Sequence, residues 1–271
     1  MRDKKSQALE LGFEMTRFRL LDNFVEKSKF DEFQKLFASF FLGEQYDCWS
    51  EIERNLIELV QRDSEGYLRK MRAFSRSVDV KYFLELHHLK TIAGLSGISH
   101  ATSFSQPVLH IAGDPFIKNV EDRGVPIHQD WPSLRGSYNS LVIWTPITGT
   151  QQADGGLYLY NVNSDERSIF PALNTKHVSQ IESNSDLLTD PIYIAPKIGQ
   201  VLVFDQFLPH ASKSPKGLRI SISMRLEDAT EKEWARRGFS FAQNIHIDRL
   251  DKNSDQLDRI NDELRTLQMD I

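Results

Sequence analysis

Apolar positions in the first hundred residues recur at three- and four-residue spacings. Leu20, Phe24, Phe30, Phe33, Phe37, Phe40 and Phe41 form one stripe, the period of a helix that buries one face. Ile52, Leu56, Leu59, Val60, Leu68 and Met71 form a second over residues 49–74, and a third runs over 80–95 and stops in the glycine-containing stretch Gly94 to Gly97. Aromatic-rich stripes of this kind predict core-facing helix surfaces rather than a cofactor box.

From about residue 105 to 226 the period changes. Short β-type runs at 108–111, 140–145, 157–160, 192–195, 201–204 and 220–224 are separated by turn residues such as Gly113, Pro126, Gly149, Gly155, Gly156, Pro196, Gly199 and Pro209. No strand–helix–strand alternation occurs, which argues against a parallel Rossmann sheet. Several short strands in one block predict a sandwich or jelly roll. Residues 161–190 are polar and irregular; so long a loop inside a domain is usually functional or disordered, and it is expected to act as a lid that orders on ligand binding. Helical spacing returns from 251 with Leu257, Ile260, Leu264 and Leu267. That tail reads as an amphipathic helix packing on the domain or on a second subunit, a route to a homo-oligomer. The chain thus reads as one domain over 1–271: a helical part to about 104, a β core to about 226 and a helical end.

With 271 residues the chain can bury a large core without a disulfide or structural metal. Its one cysteine, Cys48, excludes an internal disulfide and fits a reducing compartment. No apolar segment follows the charged start Met1-Arg2-Asp3-Lys4-Lys5, and no run is long enough to span a bilayer. The expectation is a cytoplasmic protein with no membrane partner. The net charge is −5 and the basic residues are scattered, the nearest cluster being Lys213, Lys216, Arg219 and Arg225. A nucleic-acid partner is therefore not expected.

His128-Gln129-Asp130 places an imidazole and a carboxylate two residues apart. In an extended segment both point the same way. A second His-x-Asp, His246-Ile247-Asp248, has no histidine after it, whereas His210 follows Asp130 across the β-rich block. Only the first pair can recruit a later histidine. Two histidines and one carboxylate on one face of an iron leave the opposite positions open for a bidentate co-substrate and O2, the facial triad of non-haem Fe(II) oxygenases. Nine residues on, Arg219-Ile220-Ser221-Ile222-Ser223-Met224-Arg225 alternates strictly. Arginine and serine on an inward strand face are costly unless they bind something, and an anionic co-substrate would satisfy them, because a guanidinium fork pairs a carboxylate bidentately.

Taken in order, His128-Gln129-Asp130, the run Gly199 to Phe204, Pro209-His210-Ala211-Ser212 and Arg219-Ile220-Ser221 resemble the phytanoyl-CoA dioxygenase family of Fe(II)/2-oxoglutarate oxygenases. The resemblance spans roughly residues 105–226. It implies a double-stranded β-helix (jelly-roll, cupin-like) core, mainly β, with helical flanks. It implies iron held by His128, Asp130 and His210, and 2-oxoglutarate held through its far carboxylate by Arg219 with Ser221. Ser212 matches a serine that assists, Gln129 and Trp144 resemble residues near the co-substrate, and an upstream contact falls on Gln106 or His110. The implied activity uses Fe(II), 2-oxoglutarate and O2, and releases succinate and CO2. Asp130, a carboxylate, favours hydroxylation over halogenation, with desaturation, epimerisation and ring formation open. The chain departs from the family in reading Asp154-Gly155-Gly156-Leu157 with no Gly-Ser-His after it. The string from His128 to Ser137 resembles bacterial members of surface-polysaccharide and natural-product pathways. A polar, sugar-like small-molecule substrate is expected, with Arg135, Tyr138, Tyr158 and Tyr160 as candidate contacts. The alternatives are a non-catalytic cupin-like metal-binding protein and a metal-dependent cupin isomerase or hydrolase.

Overall fold

The computed structural model describes residues 17–22, 24–44, 46, 48–77, 84, 86–98, 100–103, 107–112, 125–134, 136–147, 155–162, 167–171, 180–181, 185–213, 219–231 and 243–245. The phenylalanine stripe forms helix α1 (Lys27–Leu42), which ends at Gly43 in the left-handed region (φ 76°) with its N–H on the Ser39 carbonyl. Glycine is favoured at that turn because it lacks the Cβ that strains a positive φ. The second stripe, expected as one helix, is two: α2 (Trp49–Arg62) and α3 (Ser64–Ser77). The break is Asp63, whose carboxylate accepts the Gly66 N–H at 2.8 Å and so caps the start of α3. Helix α4 (Leu86–Leu95) follows. Phe33, Phe37 and Phe41 of α1 meet Phe74 of α3 with ring centroids 5.5 Å apart, edge-on in each case.

Ten strands complete the described fold: β1 (Phe18–Leu21), β2 (Ala101–Ser103), β3 (Val108–Ala112), β4 (Ser140–Pro146), β5 (Leu157–Leu159), β6 (Ile192–Ile194), β7 (Val201–Asp205), β8 (His210–Ser212), β9 (Arg219–Asp228) and β10 (Gln243–Ile245). A seven-stranded sheet runs β1-β7-β4-β9-β2-β10, with β3 beside the first half of β9; a second sheet runs β6-β5-β8. Every pairing is antiparallel. His128 extends the second sheet through bridges to His210 on one side and Gln180 on the other. This is the jelly-roll class with helical flanks, but the flanks are not purely helical. Leu20, assigned above to the first helical stripe, lies in β1 opposite Leu202, while β2 and β10 come from stretches expected to be helical. Pairing with a waiting sheet edge overrides a weak local pattern.

The central strands β4, β7 and β9 of the large sheet are buried on both faces. Leu141 and Ile143 of β4, Val201 and Val203 of β7, and Ile220, Ile222, Met224 and Leu226 of β9 join the helices in one core. Val142, Trp144, Leu202 and Phe204 point the other way, into a second core shared with Leu157 and Leu159 of the small sheet. The face of β9 that carries Arg219, Ser221, Ser223 and Arg225 therefore opens between the two sheets. Among the described residues no helix is long and apolar enough to cross a membrane.

Candidate metal and anion site

His128, Asp130 and His210 offer ligand atoms within 4.8 Å of one another. His128 and Asp130 sit two apart on an extended segment, so their side chains share the inner face, and His210 opens β8 alongside. The His128 Nε2 lies 3.3 Å and the His210 Nε2 4.0 Å from Asp130 Oδ1. Each imidazole is turned by its other nitrogen: His128 Nδ1 is 2.8 Å from the Pro126 carbonyl and His210 Nδ1 2.9 Å from the Leu208 carbonyl. A carbonyl can only accept, so Nδ1 carries the hydrogen and the Nε2 lone pair faces the cluster. Burial, then the neighbouring His128, pushes the His210 imidazole down to about 3, keeping it neutral and ready to ligate. Burial by itself would raise the Asp130 carboxyl, but Arg225, followed by the neighbouring His128, holds it well below the usual carboxylate range.

Arg225 was expected only to share the strand face. Its Nε and Nη2 both donate to Asp130 Oδ2, at 3.0 and 2.6 Å, and its Nη1 donates to Ser223 Oγ at 2.6 Å. The Arg219-to-Arg225 alternation placed it on the inner face; its partner lies 95 residues away in sequence and has no local signature.

Arg219 is 3% exposed. Its Nη1 donates to the Gly155 carbonyl at 2.5 Å, with Lys213 and Gly156 carbonyls at 3.4 and 3.5 Å, and its guanidinium lies 5.3 Å from the centre of the Trp144 ring. Among the described residues Arg219 Nε and Ser221 Oγ are buried without a hydrogen-bond partner. Burial lowers the guanidinium to about 10, so it remains a cation at neutral pH. A buried cation beside a buried hydroxyl, each with unmet hydrogen-bonding capacity, fits a carboxylate. One cavity joins both halves of the site, lined by His128 and His210 at one end and Arg219 and Trp144 at the other, with Ser212 and Arg225 also on its wall. A second cavity of about 130 Å³ continues past Arg219 and Ser212 to Tyr67, Leu68 and Met71 of α3.

The other expected residues divide. His110 of β3 pairs opposite Ser221 and lines both cavities; burial, then Arg225 and Arg219, lowers it to about 3. Gln106, Arg135, His246, Asp248 and the 251–271 tail lie outside the described residues. Ser212 Oγ accepts the Val125 N–H at 2.6 Å, which leaves its own hydrogen free to point into the cavity. Gln129, expected near a co-substrate, does not face the cavity. Set between two inward residues, it points outward: its Nε2 donates to the Ser168 and Phe207 carbonyls and its Oε1 accepts the Phe170 N–H. Tyr158 is likewise turned away, because its neighbours Leu157 and Leu159 face inward; with Tyr160 it packs on Ile127, Phe170, Ile181 and Ala211. Tyr138 is exposed, its ring 4.9 Å from the Arg167 guanidinium.

Of the stretch expected to be a lid, Phe170 and Ile181 pack with Ile127 and Ala211 on the outer face of the small sheet, while Val162 joins the core between the sheets. Asn161 and Thr189 exchange hydrogen bonds at its neck, Arg167 Nε reaches Asp205 at 2.6 Å and Ile181 N reaches the Ile127 carbonyl at 2.7 Å.

No protein-family profile and no curated protein matches the chain. Solved structures do resemble it. The epimerase SnoN, solved with Fe3+, alpha ketoglutarate and nogalamycin RO, superposes with a TM-score of 0.51 at 13% identity, over 84% of this chain and 86% of that one. SnoK, a non-heme alpha ketoglutarate dependent carbocyclase from nogalamycin biosynthesis, gives 0.50 at 10% identity, over 82% and 84%. The likeness extends the jelly-roll assignment across most of the chain.

Proposed function

We propose that this protein is a non-haem Fe(II)- and 2-oxoglutarate-dependent oxygenase that oxidises a C–H bond of a polar small molecule. The observation that carries the reading is one cavity lined by His128 and His210 together with the buried Arg219, where Asp130 lies beside the two imidazoles and Arg219 Nε and Ser221 Oγ have no hydrogen-bond partner among the described residues. His128, Asp130 and His210 would hold the iron. Arg219, with Ser221, would hold the far carboxylate of 2-oxoglutarate, and Trp144 and His110 would wall it. When bound, iron and 2-oxoglutarate supply the O2-dependent oxidation and release succinate and CO2. The chain's share is positional: carbonyl bonds aim the two Nε2 atoms, the strand presents Arg219, and packing of the two sheets excludes water.

A metal-only cupin would have no use for an unsatisfied buried guanidinium. That argues against the non-catalytic reading and against a cupin isomerase or hydrolase. SnoN is described as an epimerase and SnoK as a carbocyclase, so product analysis should look for epimerised and ring-closed products as well as alcohols. The motif resemblance to phytanoyl-CoA dioxygenases, the sugar-like substrate and the cytoplasmic location belong to the same proposal. The test is succinate release from 2-oxoglutarate with Fe(II), in air and under argon. Release in air only, abolished in His128→Ala, supports the reading. A protein that binds metal but never consumes 2-oxoglutarate with any polar substrate pool would return it to the cupin alternatives.

A further inference from the structure

Two oxygens of Asp130 meet different surroundings. Oδ1 faces His128 and His210, at 3.3 and 4.0 Å from their Nε2 atoms. Oδ2 receives two N–H bonds from Arg225, whose third nitrogen is anchored on Ser223 of the same strand. Both partners are largely buried, with side-chain exposures of 11% and 7%. A buried carboxylate oxygen stripped of its partner is an uncompensated charge and turns to the nearest cation. With a metal in the cluster, that cation would be the metal. A carboxylate binds a metal through one oxygen or two, and the second oxygen would fill a position that a facial triad needs open.

We propose that Arg225 is a positioning residue that restricts Asp130 to one-oxygen ligation and so keeps a coordination position free. The inference rests on the reading of His128, Asp130 and His210 as iron ligands. Strand β9 then serves the site at two points. Arg219 takes the co-substrate, while Arg225, six residues and roughly 20 Å further along an extended strand, holds the back of the ligand. Because Nε and Nη2 of Arg225 are already engaged by Asp130, the division of labour between the arginines follows from geometry.

The test uses nitric oxide as a stand-in for O2. Wild type, Arg225→Lys and Arg225→Met are loaded with Fe(II) and 2-oxoglutarate under argon, nitric oxide is titrated in, and the iron–nitrosyl signal is read by electron paramagnetic resonance. Wild type should give the signal from nearly all its iron. Arg225→Met should keep iron and 2-oxoglutarate yet bind nitric oxide at least tenfold more weakly, with Arg225→Lys between the two, since an ammonium restores part of the hold on Oδ2. Equal nitric oxide binding in Arg225→Met and wild type overturns the proposal. X-ray absorption on wild type with Fe(II) alone is a second measurement that needs no variant: a one-oxygen carboxylate is expected, and a two-oxygen Asp130 chelate overturns the proposal outright. Wild type that takes up neither iron nor 2-oxoglutarate fails the functional reading itself, whereas normal uptake with unchanged nitric oxide binding fails only the role of Arg225.

Discussion

Replacing Arg219 with alanine removes a buried cation whose donors are not already matched by an acid. Its Nη1 bond to the Gly155 carbonyl is satisfied without ligand, while Nε and the adjacent Ser221 Oγ have no partner among the described residues. A bidentate, charge-assisted pair with a carboxylate in so dry a place contributes about 2–4 kcal/mol, including the cost of leaving that carboxylate unpaired when the arginine is lost. At about 1.4 kcal/mol per decade, Arg219→Ala should weaken 2-oxoglutarate by some tens- to several-hundred-fold. Arg219→Lys should regain only part, because an ammonium cannot reproduce the fork or its packing over Trp144. Stability without ligand should move far less than affinity: the variant loses the Gly155 bond but is relieved of a desolvated charge. Fe(II) affinity should be unchanged, as Arg219 is not one of the proposed ligands His128, Asp130 and His210. The assay is calorimetric titration of 2-oxoglutarate into Fe(II)-loaded protein under argon, with the ligand-induced shift in melting temperature as a check. An unchanged dissociation constant in Arg219→Ala would refute the placement of the co-substrate carboxylate. So would a larger loss of 2-oxoglutarate affinity in Arg225→Lys, which would move that carboxylate to the other end of β9.

His128→Ala and His210→Ala should each abolish stoichiometric Fe(II) binding, read by metal analysis after desalting, and His246→Ala should leave it intact; the reverse pattern would mean that the second His-x-Asp is the metal site. Gln129→Leu should strand the Phe170 N–H and two carbonyls at about 1–3 kcal/mol. It should speed hydrogen exchange at Phe170 at least tenfold while lowering iron affinity less than tenfold; protected exchange there would show that Gln129 does not fasten the loop. The metal-free protein should lose stability on acidification. His210 is depressed to about 3 in the folded state and titrates near 6.5 when unfolded, so below that pH the unfolded chain takes up a proton that the folded chain refuses. The contribution is complete above about 6.5 and falls by about 2 kcal/mol between pH 7 and 5, with His110 shifted in the same direction; equal urea midpoints at the two pH values would contradict the burial of these rings.

Periodicity within a few residues was legible without coordinates, because it records which side of an element is dry. The i, i+2 spacing of His128 and Asp130 and the alternation from Arg219 to Arg225 set which side chains share a face, and both hold in the fold. What lay on the far side of each face was not legible. Gln129 reads as a neighbour of two ligands, yet the pleat that turns them inward turns it outward, onto a loop some 40 residues on. Tyr158 is lost to the site for the same reason. Leu20 looked helical until β7 offered it an edge, and Asp63 could divide α2 from α3 only once its carboxylate was seen on Gly66. Arg225 is the clearest case. Its residue type and face follow from the chain, but the Asp130 oxygen that it holds arrives from a turn far away in sequence. Local pattern determines orientation because the strand repeat is a property of the backbone. Partnership across the sheets is decided by tertiary packing, which brings together charges that no short stretch of sequence contains.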